Sequence, residues 1–498
     1  MSQRPQKAPY LTKSSYVRGT ECDRLLWLSW HQRQPYEEPA PGSPAATGID
    51  IGNQAHRLFP RGVLVDHQPW EHDEAVAHTQ QLMSDPAVPA IFEAAYEHAG
   101  VRIRADVVER LSDGRWRLCE VKSASRVKAR YVDDAAVQAF VMEQSGIKLA
   151  SVELVHVNTS YVYAGDGTDW PQYFKRSDIT DQVAAAKPDI EATVRQQMEL
   201  LHQTQEPAIK PGPHCPAGCD YWDHCTADKP TDWVFNLPRL SQKKFDALEA
   251  ANIERIANIP EDFDLTAHQD RMRDVIANGK PYISKQLAND IAALEGPVAY
   301  LDFEAMNPAI PIYVGTRPYQ RTPFQWSLHR DDGTGNLSHD DFLGDPAGDP
   351  REAFVTSLIA ALANDDQEPI VVYSAYEKGV LREMSELFPD HADALERIIA
   401  RLADLYVIVR NNLYLESFAG SYSIKMVGKA LAPDFSYDGL EHVADGAQAA
   451  AAYQRLANAK APDDEASELR AALLAYCRLD TLAMVKAHRG LRDIAVQR

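Results

Sequence analysis

The sequence predicts an α/β protein made of two α/β units and a helical connector, with boundaries at 1–235, 236–296 and 297–498. Three observations carry this expectation. At 498 residues the chain exceeds one ordinary core, and roughly 100–200 residues per domain points to two or three. Two strand-like runs, VRIRADVVERL and RWRLCEVKS, are joined by Ser112-Asp113-Gly114 and followed by a helix and a further strand. A second succession of this kind starts at PVAYLDFEAM, after a stretch with few strand signals.

In chain order, segment 31–48 is rich in Pro, Gly and small residues and reads as a loop between a first helix and a second one starting near Ile49. The Asp-Gly pair makes the runs around 101–123 a hairpin. DDAAVQAFVMEQSG then reads as a helix and ASVELVHVNT as a strand, which gives the α/β alternation. Residues 178–206 read as one helix, and the proline-containing 207–218 leads into a cysteine cluster. LSQKKFDALEAANI and SKQLANDIAALE are amphipathic and make 238–296 helical. After PVAYLDFEAM come FQWSLHR, a helix at 350–364, the strand PIVVYSAY, an Ala-rich segment 444–461 compatible with helix, and helices after Ala466. The chain carries no convincing internal repeat.

Composition narrows the class. With 45% hydrophobic and 25% charged residues the chain is an ordinary globular protein. It has no apolar run of 18 residues, and its N-terminus, MSQRPQKAPYLTKSSY, lacks the apolar stretch of a signal peptide; a cytoplasmic protein without membrane partners is expected. Six cysteines in that setting read as metal binding or chemistry rather than disulfides. The net charge of −21 argues against broad affinity for phosphate backbones. A local basic groove remains compatible with it, and Arg126, Lys128 and Arg130, close to Lys122, supply one.

In the hairpin, Asp106 precedes Glu120-Val121-Lys122 by 14 positions. Residues two apart on a strand share a face, so Glu120 and Lys122 reach one place, and Asp106 on the partner strand approaches it. Carboxylates bind Mg²⁺ or Mn²⁺ through hard oxygen ligands, and a lysine beside them can orient water or stabilise charge on a phosphate. Taken alone, the same pattern fits a surface hairpin of alternating charges. His56 sits on the helix before the hairpin and Gln138 on the helix after it. The order Gly52, His56, Asp106, Glu120-x-Lys122, Gln138 resembles the RecB-like branch of the PD-(D/E)XK nucleases. That resemblance implies His56, Asp106 and Glu120 as metal ligands, Lys122 as the catalytic lysine and Gln138 as an organising residue. Met142 stands where the branch usually has an aromatic.

Cys215, Cys219 and Cys225 lie together in HCPAGCDYWDHC, and Cys22 lies far upstream. Thiolates suit Zn²⁺ or iron–sulfur clusters, and zinc ribbons usually bring two close Cys-x-x-Cys pairs. Buried free thiols are the structural alternative. The one-plus-three split is similar to iron–sulfur members of the RecB-like branch. It implies a [4Fe–4S] cluster that staples the two ends of the domain and takes no part in the chemistry. Cys119 and Cys477 read as core residues without a ligand role.

In PVAYLDFEAM, Asp302 and Glu304 share one face of a strand. Tyr476 and Asp480 are four apart and share one side of a helix, and Glu377 opens a helix after IVVY. Three or four convergent carboxylates can hold two divalent ions about 4 Å apart. The order resembles the DEDD exonucleases of the ribonuclease-H-like superfamily, in the variant with Tyr-x-x-x-Asp. The resemblance implies Asp302, Glu304 and Asp480 as metal ligands and Tyr476 as the residue that positions water. Glu377 stands where that family usually has Asp. Asp404-Leu405 and SYSIKMVGKAL also look like its intermediate region.

Together the two resemblances imply a metal-dependent nuclease with two separate sites, a [4Fe–4S] cluster and Mg²⁺ or Mn²⁺, serving DNA repair, nucleic-acid processing or defence. Single-stranded DNA is the favoured partner, RNA is possible, and protein partners are not legible. The alternative is a single nuclease, or a nucleic-acid-binding scaffold, with a degenerate C-terminal site.

Overall fold

The computed structural model describes residues 8–35, 37–363, 367–440, 442–458 and 462–497. Parts of the N-terminal stretch, the expected loop 31–48, the expected helix 350–364 and the Ala-rich segment 444–461 lie outside the described residues. The chain forms two compact units, one of residues 1–228 with 309–311 and 315–318, the other of 229–308, 312–314 and 319–498. Segment 236–296 clusters with the second unit instead of standing apart. Both units mix helices with sheet.

The first unit is built on a seven-stranded sheet. Its strands are β1 (Leu11–Thr12), β2 (Val63–Leu64), β3 (Ala90–His98), β4 (Val101–Arg110), β5 (Trp116–Lys122), β6 (Leu149–Val157) and β7 (Phe174–Asp178), in the order β2-β3-β4-β5-β6-β7 with β1 beside β4. The β4–β5 hairpin forms where the Asp-Gly pair requires it, with Gly114 at a φ of 84°. Helices α1 (Lys13–Glu21), α2 (Asp23–His31), α3 (Pro44–Ala55), α4 (His72–Ser84) and α5 (Ala129–Gln144) are arranged around the sheet. Helix α3 begins at Pro44 and not at Ile49, because Ser43 caps the Ala46 N–H and proline suits the first helical position. The expected single helix 178–206 is broken into Thr180–Ala186 and Ile190–His202 around Lys187–Asp189, where Pro188 has no N–H to donate. Leu11, Leu28, Leu118, Val141 and Leu154 are fully buried in its core.

One irregularity of this sheet positions a site. Strand β4 pairs antiparallel with β5 over Val107–Arg110, while its other end, Val101 and Arg102, pairs parallel with β1. Two strands therefore share one edge of β4. The ladder forks between them, and Asp106 stands at the fork.

In the second unit β8 (Tyr282–Ile283) pairs with β14 (Leu413–Tyr414). The main sheet contains β9 (Val298–Met306), β10 (Thr322–Asp331), β11 (Leu337–Leu343), β12 (Ile370–Val372) and β13 (Leu402–Asp404), in the order β11-β10-β9-β12-β13. Strand β9 is central, antiparallel to β10 and parallel to β12. The expected strand PIVVYSAY is confined to Ile370–Val372. The last helix, Asp463–Val496, buries Leu469, Leu473, Tyr476, Asp480, Met484, Ala487 and Leu491, the spacing of three to four residues that makes one face. Among the described residues no helix is long and apolar enough to cross a membrane.

Candidate functional site

At the fork in the first sheet, the Asp106 carboxylate replaces a missing ladder partner: its Oδ2 accepts the Val121 N–H at 2.7 Å. Glu120 on β5 is fully buried. Its Oε2 accepts from Gln138 Nε2 at 2.7 Å, and its Oε1 lies 2.6 Å from Lys122 Nζ. Asp134 and Gln138 are four apart on α5 and point the same way, so Asp134 pairs with Lys122 while Gln138 reaches Glu120. The structure thus brings Asp106, Glu120, Lys122 and Gln138 to one place.

Three further residues belong here. Lys13, the first residue of α1, donates to Asp106 Oδ1 at 3.0 Å and to the two Glu120 oxygens at 3.2 and 3.3 Å. No sequence signal marks it; β1 delivers it from far upstream. Asp134 could have been found from its spacing to Gln138. Glu93 on β3 has a φ of 54°, in the left-handed region that costs a non-glycine residue on the order of 1 kcal/mol or more. The regular ladder runs through Phe92↔Val107 and Ala94↔Ala105, which sets Glu93 opposite Asp106.

The electrostatics follow from this crowding. Burial opposes the charge on Glu120, but Lys13 and Lys122 outweigh it and hold the carboxyl well below the usual range. Burial and then the charge of Glu120 push Asp106 up. Burial and the neighbouring carboxylates raise Asp134 to about 6 and Glu93 to about 7. The sequence reading placed His56 among the metal ligands. Its ring stacks on Phe92 with centroids 3.9 Å apart and planes at 7°, burial lowers its pKa, and it makes no hydrogen bond to Asp106 or Glu120. Arg126, Lys128 and Arg130 are exposed, and Lys122, Lys128 and Arg130 gather around the Tyr131 ring at 5.7, 5.7 and 5.1 Å.

All six cysteines are free thiols. Cys22 ends α1 and opens α2, where its Sγ accepts the Leu25 N–H at 3.5 Å. The Cys215 Sγ accepts the Gly212 N–H at 3.5 Å. Cys22, Cys215, Cys219 and Cys225 are all half-buried and converge: burial raises the Cys225 thiol, and the other three sulfurs push it further in the same direction. No three of these sulfurs lie within 4.8 Å of one another.

In the second unit Asp302 and Glu304 lie on the central strand β9, opposite Ser327 and Gln325 of β10. Tyr476, Cys477 and Asp480 come from the last helix. Asp302, Glu304 and Cys477 bring their ligand atoms within 4.8 Å of one another, a group able to hold a metal ion. Cys477 is fully buried, as expected of a core residue, and its Sγ lies 3.4 Å from Asp302 Oδ2. Asp480 and Glu377 stand outside that group but share the acidic patch, since both push Asp302 up, after burial itself. Asp480 Oδ1 accepts from the Tyr437 hydroxyl at 2.7 Å, and the Tyr476 hydroxyl engages the same carboxylate. Glu377, in the first turn of the helix Tyr376–Leu387, is buried and accepts from Ser374.

Burial, then Asp480 and Glu377, raise Glu304 to about 8, and burial raises Glu377 to about 7. A cation facing them is Lys425, 5.3 Å from the centres of both the Tyr437 and Tyr476 rings; it lies in the SYSIKMVGKAL segment, whereas Tyr437 had no sequence signal as a site residue. Buried carboxylates raised by one another make a donor set short of positive charge, which is the condition a divalent cation relieves.

A family model described as a domain of unknown function (DUF2779) matches residues 299–423, a stretch that includes Asp302, Glu304, Glu377 and Asp404. No curated protein matches the chain. Among solved structures, the crystal structure of SSO0001 is similar at 11% identity over 41% of this chain and 82% of that one, with a TM-score of 0.19. Likeness at that level carries no argument about fold or function.

Proposed function

We propose that this chain is a metal-dependent nuclease that hydrolyses phosphodiester bonds of nucleic acid, with a RecB-like centre in the first unit and a second, ribonuclease-H-like centre in the other. The observation that carries the reading is the convergence of Asp106, Glu120 and Lys122 at the sheet fork, with exposed Arg126, Lys128 and Arg130 beside it. The ammonium of Lys13 stands in for a cation among the oxygens of Asp106 and Glu120, so these carboxylates fit a hard divalent ion such as Mg²⁺ or Mn²⁺. Such an ion, when bound, supplies Lewis-acid activation of the phosphoryl group. Lys122, charged and fixed between Glu120 and Asp134, is set to stabilise negative charge that develops on the phosphate, and Gln138 keeps Glu120 turned toward the site. His56, whose burial favours the neutral imidazole, would be a further ligand from the helix side.

In the second centre the carboxylates of Asp302, Glu304 and Asp480 would hold the ion, with Glu377, Cys477 and Tyr476 around it. The test is an assay of anaerobically purified protein with Mg²⁺ or Mn²⁺ on end-labelled single- and double-stranded DNA and RNA. Cleavage of none of the four under either metal sinks the reading, and cleavage of single-stranded DNA ahead of the rest is the expected result.

The converging Cys22, Cys215, Cys219 and Cys225 are read as the thiolates that would hold an iron–sulfur cluster. Backbone N–H groups already directed at Cys22 and Cys215 also suit iron–sulfur ligation. Anaerobic protein is therefore expected to be brown with broad absorption at about 400 nm, as iron–thiolate ligation produces. Cys219→Ala should bleach it and lower the melting temperature of the first unit. Colourless protein with stoichiometric zinc would overturn the assignment.

A further inference from the structure

We propose that Lys13 is a tethered cation that fills the metal position of the first centre and must swing out before a divalent ion can bind. The inference rests on the reading of Asp106 and Glu120 as metal ligands, and it goes beyond that reading by naming what holds the site shut. Asp106 has one oxygen committed to the Val121 N–H; the other, Oδ1, is the one free to ligate, and Lys13 Nζ occupies it at 3.0 Å. Glu120 gives Oε2 to Gln138 and Oε1 to Lys122, and Lys13 contacts both of these oxygens as well. Its ammonium thus sits at the point from which Asp106 Oδ1 and the Glu120 carboxylate are reached together. A hard divalent ion bridging the same two carboxylates, with oxygens at about 2.0–2.6 Å, requires that point. Two positive centres cannot share one point, and beside the fully buried Glu120 their repulsion is only partly screened.

An ammonium neutralises carboxylates but offers no open coordination position, so with Lys13 in place the site is assembled and inactive. Displacement needs little structural change. The backbone of Lys13 is fixed by the β1 pairing before it and by the Thr12–Ser15 capping box of α1, while its side chain has four rotatable bonds. Only the side chain has to move.

Mn²⁺ binding, followed by electron paramagnetic resonance of the free ion, tests this in full-length protein carrying Asp302→Asn and Glu304→Gln, which weakens the second acidic site. Lys13→Met and Lys13→Gln should bind Mn²⁺ on the order of tenfold tighter than the parent, and Lys13→Arg, which keeps the charge, should show no gain. Adding Asp106→Asn should remove the bound ion from every variant. Lys13→Gln keeps a hydrogen-bond donor, so it answers the question if Lys13→Met folds poorly, and circular dichroism melts report which variants are intact. Unchanged or weaker binding in folded Lys13→Gln, with a parent site still abolished by Asp106→Asn, overturns the role of Lys13 and leaves the metal reading standing. If no variant has a site sensitive to Asp106→Asn, the metal reading fails and this inference fails with it.

Discussion

Asp106→Asn and Lys122→Ala are expected to lower cleavage at the first centre by about 10²–10³-fold, the scale on which removal of one preorganised electrostatic group acts. Asparagine is the informative replacement at position 106. Its side-chain oxygen can still accept the Val121 N–H, so the sheet fork keeps its hydrogen bond while the metal loses a charged ligand. Alanine there would also orphan that N–H, a loss of about 1–3 kcal/mol in stability that would blur the result. Lys122→Ala removes the cation between Glu120 and Asp134, and some destabilisation should accompany the loss of rate. Rates on end-labelled substrate, measured beside melting curves, separate the two effects. Full activity in folded Asp106→Asn would remove the first centre from the chemistry.

The second large effect concerns pH. Glu304 and Glu377 have folded-state pKa values raised to about 8 and about 7, above the values an unfolded chain would give them. The native state then holds protons that the unfolded state has already released, so unfolding free energy falls as pH rises. The contribution is complete below pH 4 and is lost progressively between about pH 4.5 and pH 8. The first unit adds to it through Glu93 and Asp134. Metal-free protein should therefore melt on the order of 5–10 °C lower at pH 8 than at pH 5.5, which corresponds to a few kcal/mol for a unit of this size. Mn²⁺ should restore most of the loss at pH 8 by neutralising the same carboxylates. Glu304→Gln cannot ionise and should flatten the second unit's decline. A melting temperature that rises between pH 5.5 and 8 without metal would show that these carboxylates do not crowd one another in solution.

How far the sequence could be read differs from element to element. The β4–β5 hairpin was legible because alternation and an Asp-Gly turn agree on it, and with it came Asp106, Glu120 and Lys122. Tyr476 and Asp480 were legible as an i,i+4 pair on the last helix. Strand β3 was not. AIFEAAYEH is rich in helix-forming Ala and Glu, and it becomes a strand because β2 and β4 pair with it on either side. Lys13, and the contact of Cys477 with Asp302, were not legible for a related reason. Each enters its site by packing across more than 90 residues of intervening chain, and no local spacing records such a contact. The orientation of the His56 ring, stacked on Phe92, was not legible, because order along the chain says nothing about ring orientation.

Helix α1 begins at Lys13, among the carboxylates, and ends at Cys22, among the sulfurs. At about 1.5 Å per residue its nine residues span about 13 Å. It has little slack. A Cβ on Gly19 would fall 2.4 Å from Gln197 Nε2, and that nitrogen already donates to the Tyr16 carbonyl at 3.0 Å, so the helix lies tight against its neighbour. A short, clamped rod of this kind moves as a whole or not at all. Any shift in the anchorage of Cys22 is therefore felt as a change in the reach of Lys13, which makes the sulfur end a calibration point for the acidic end.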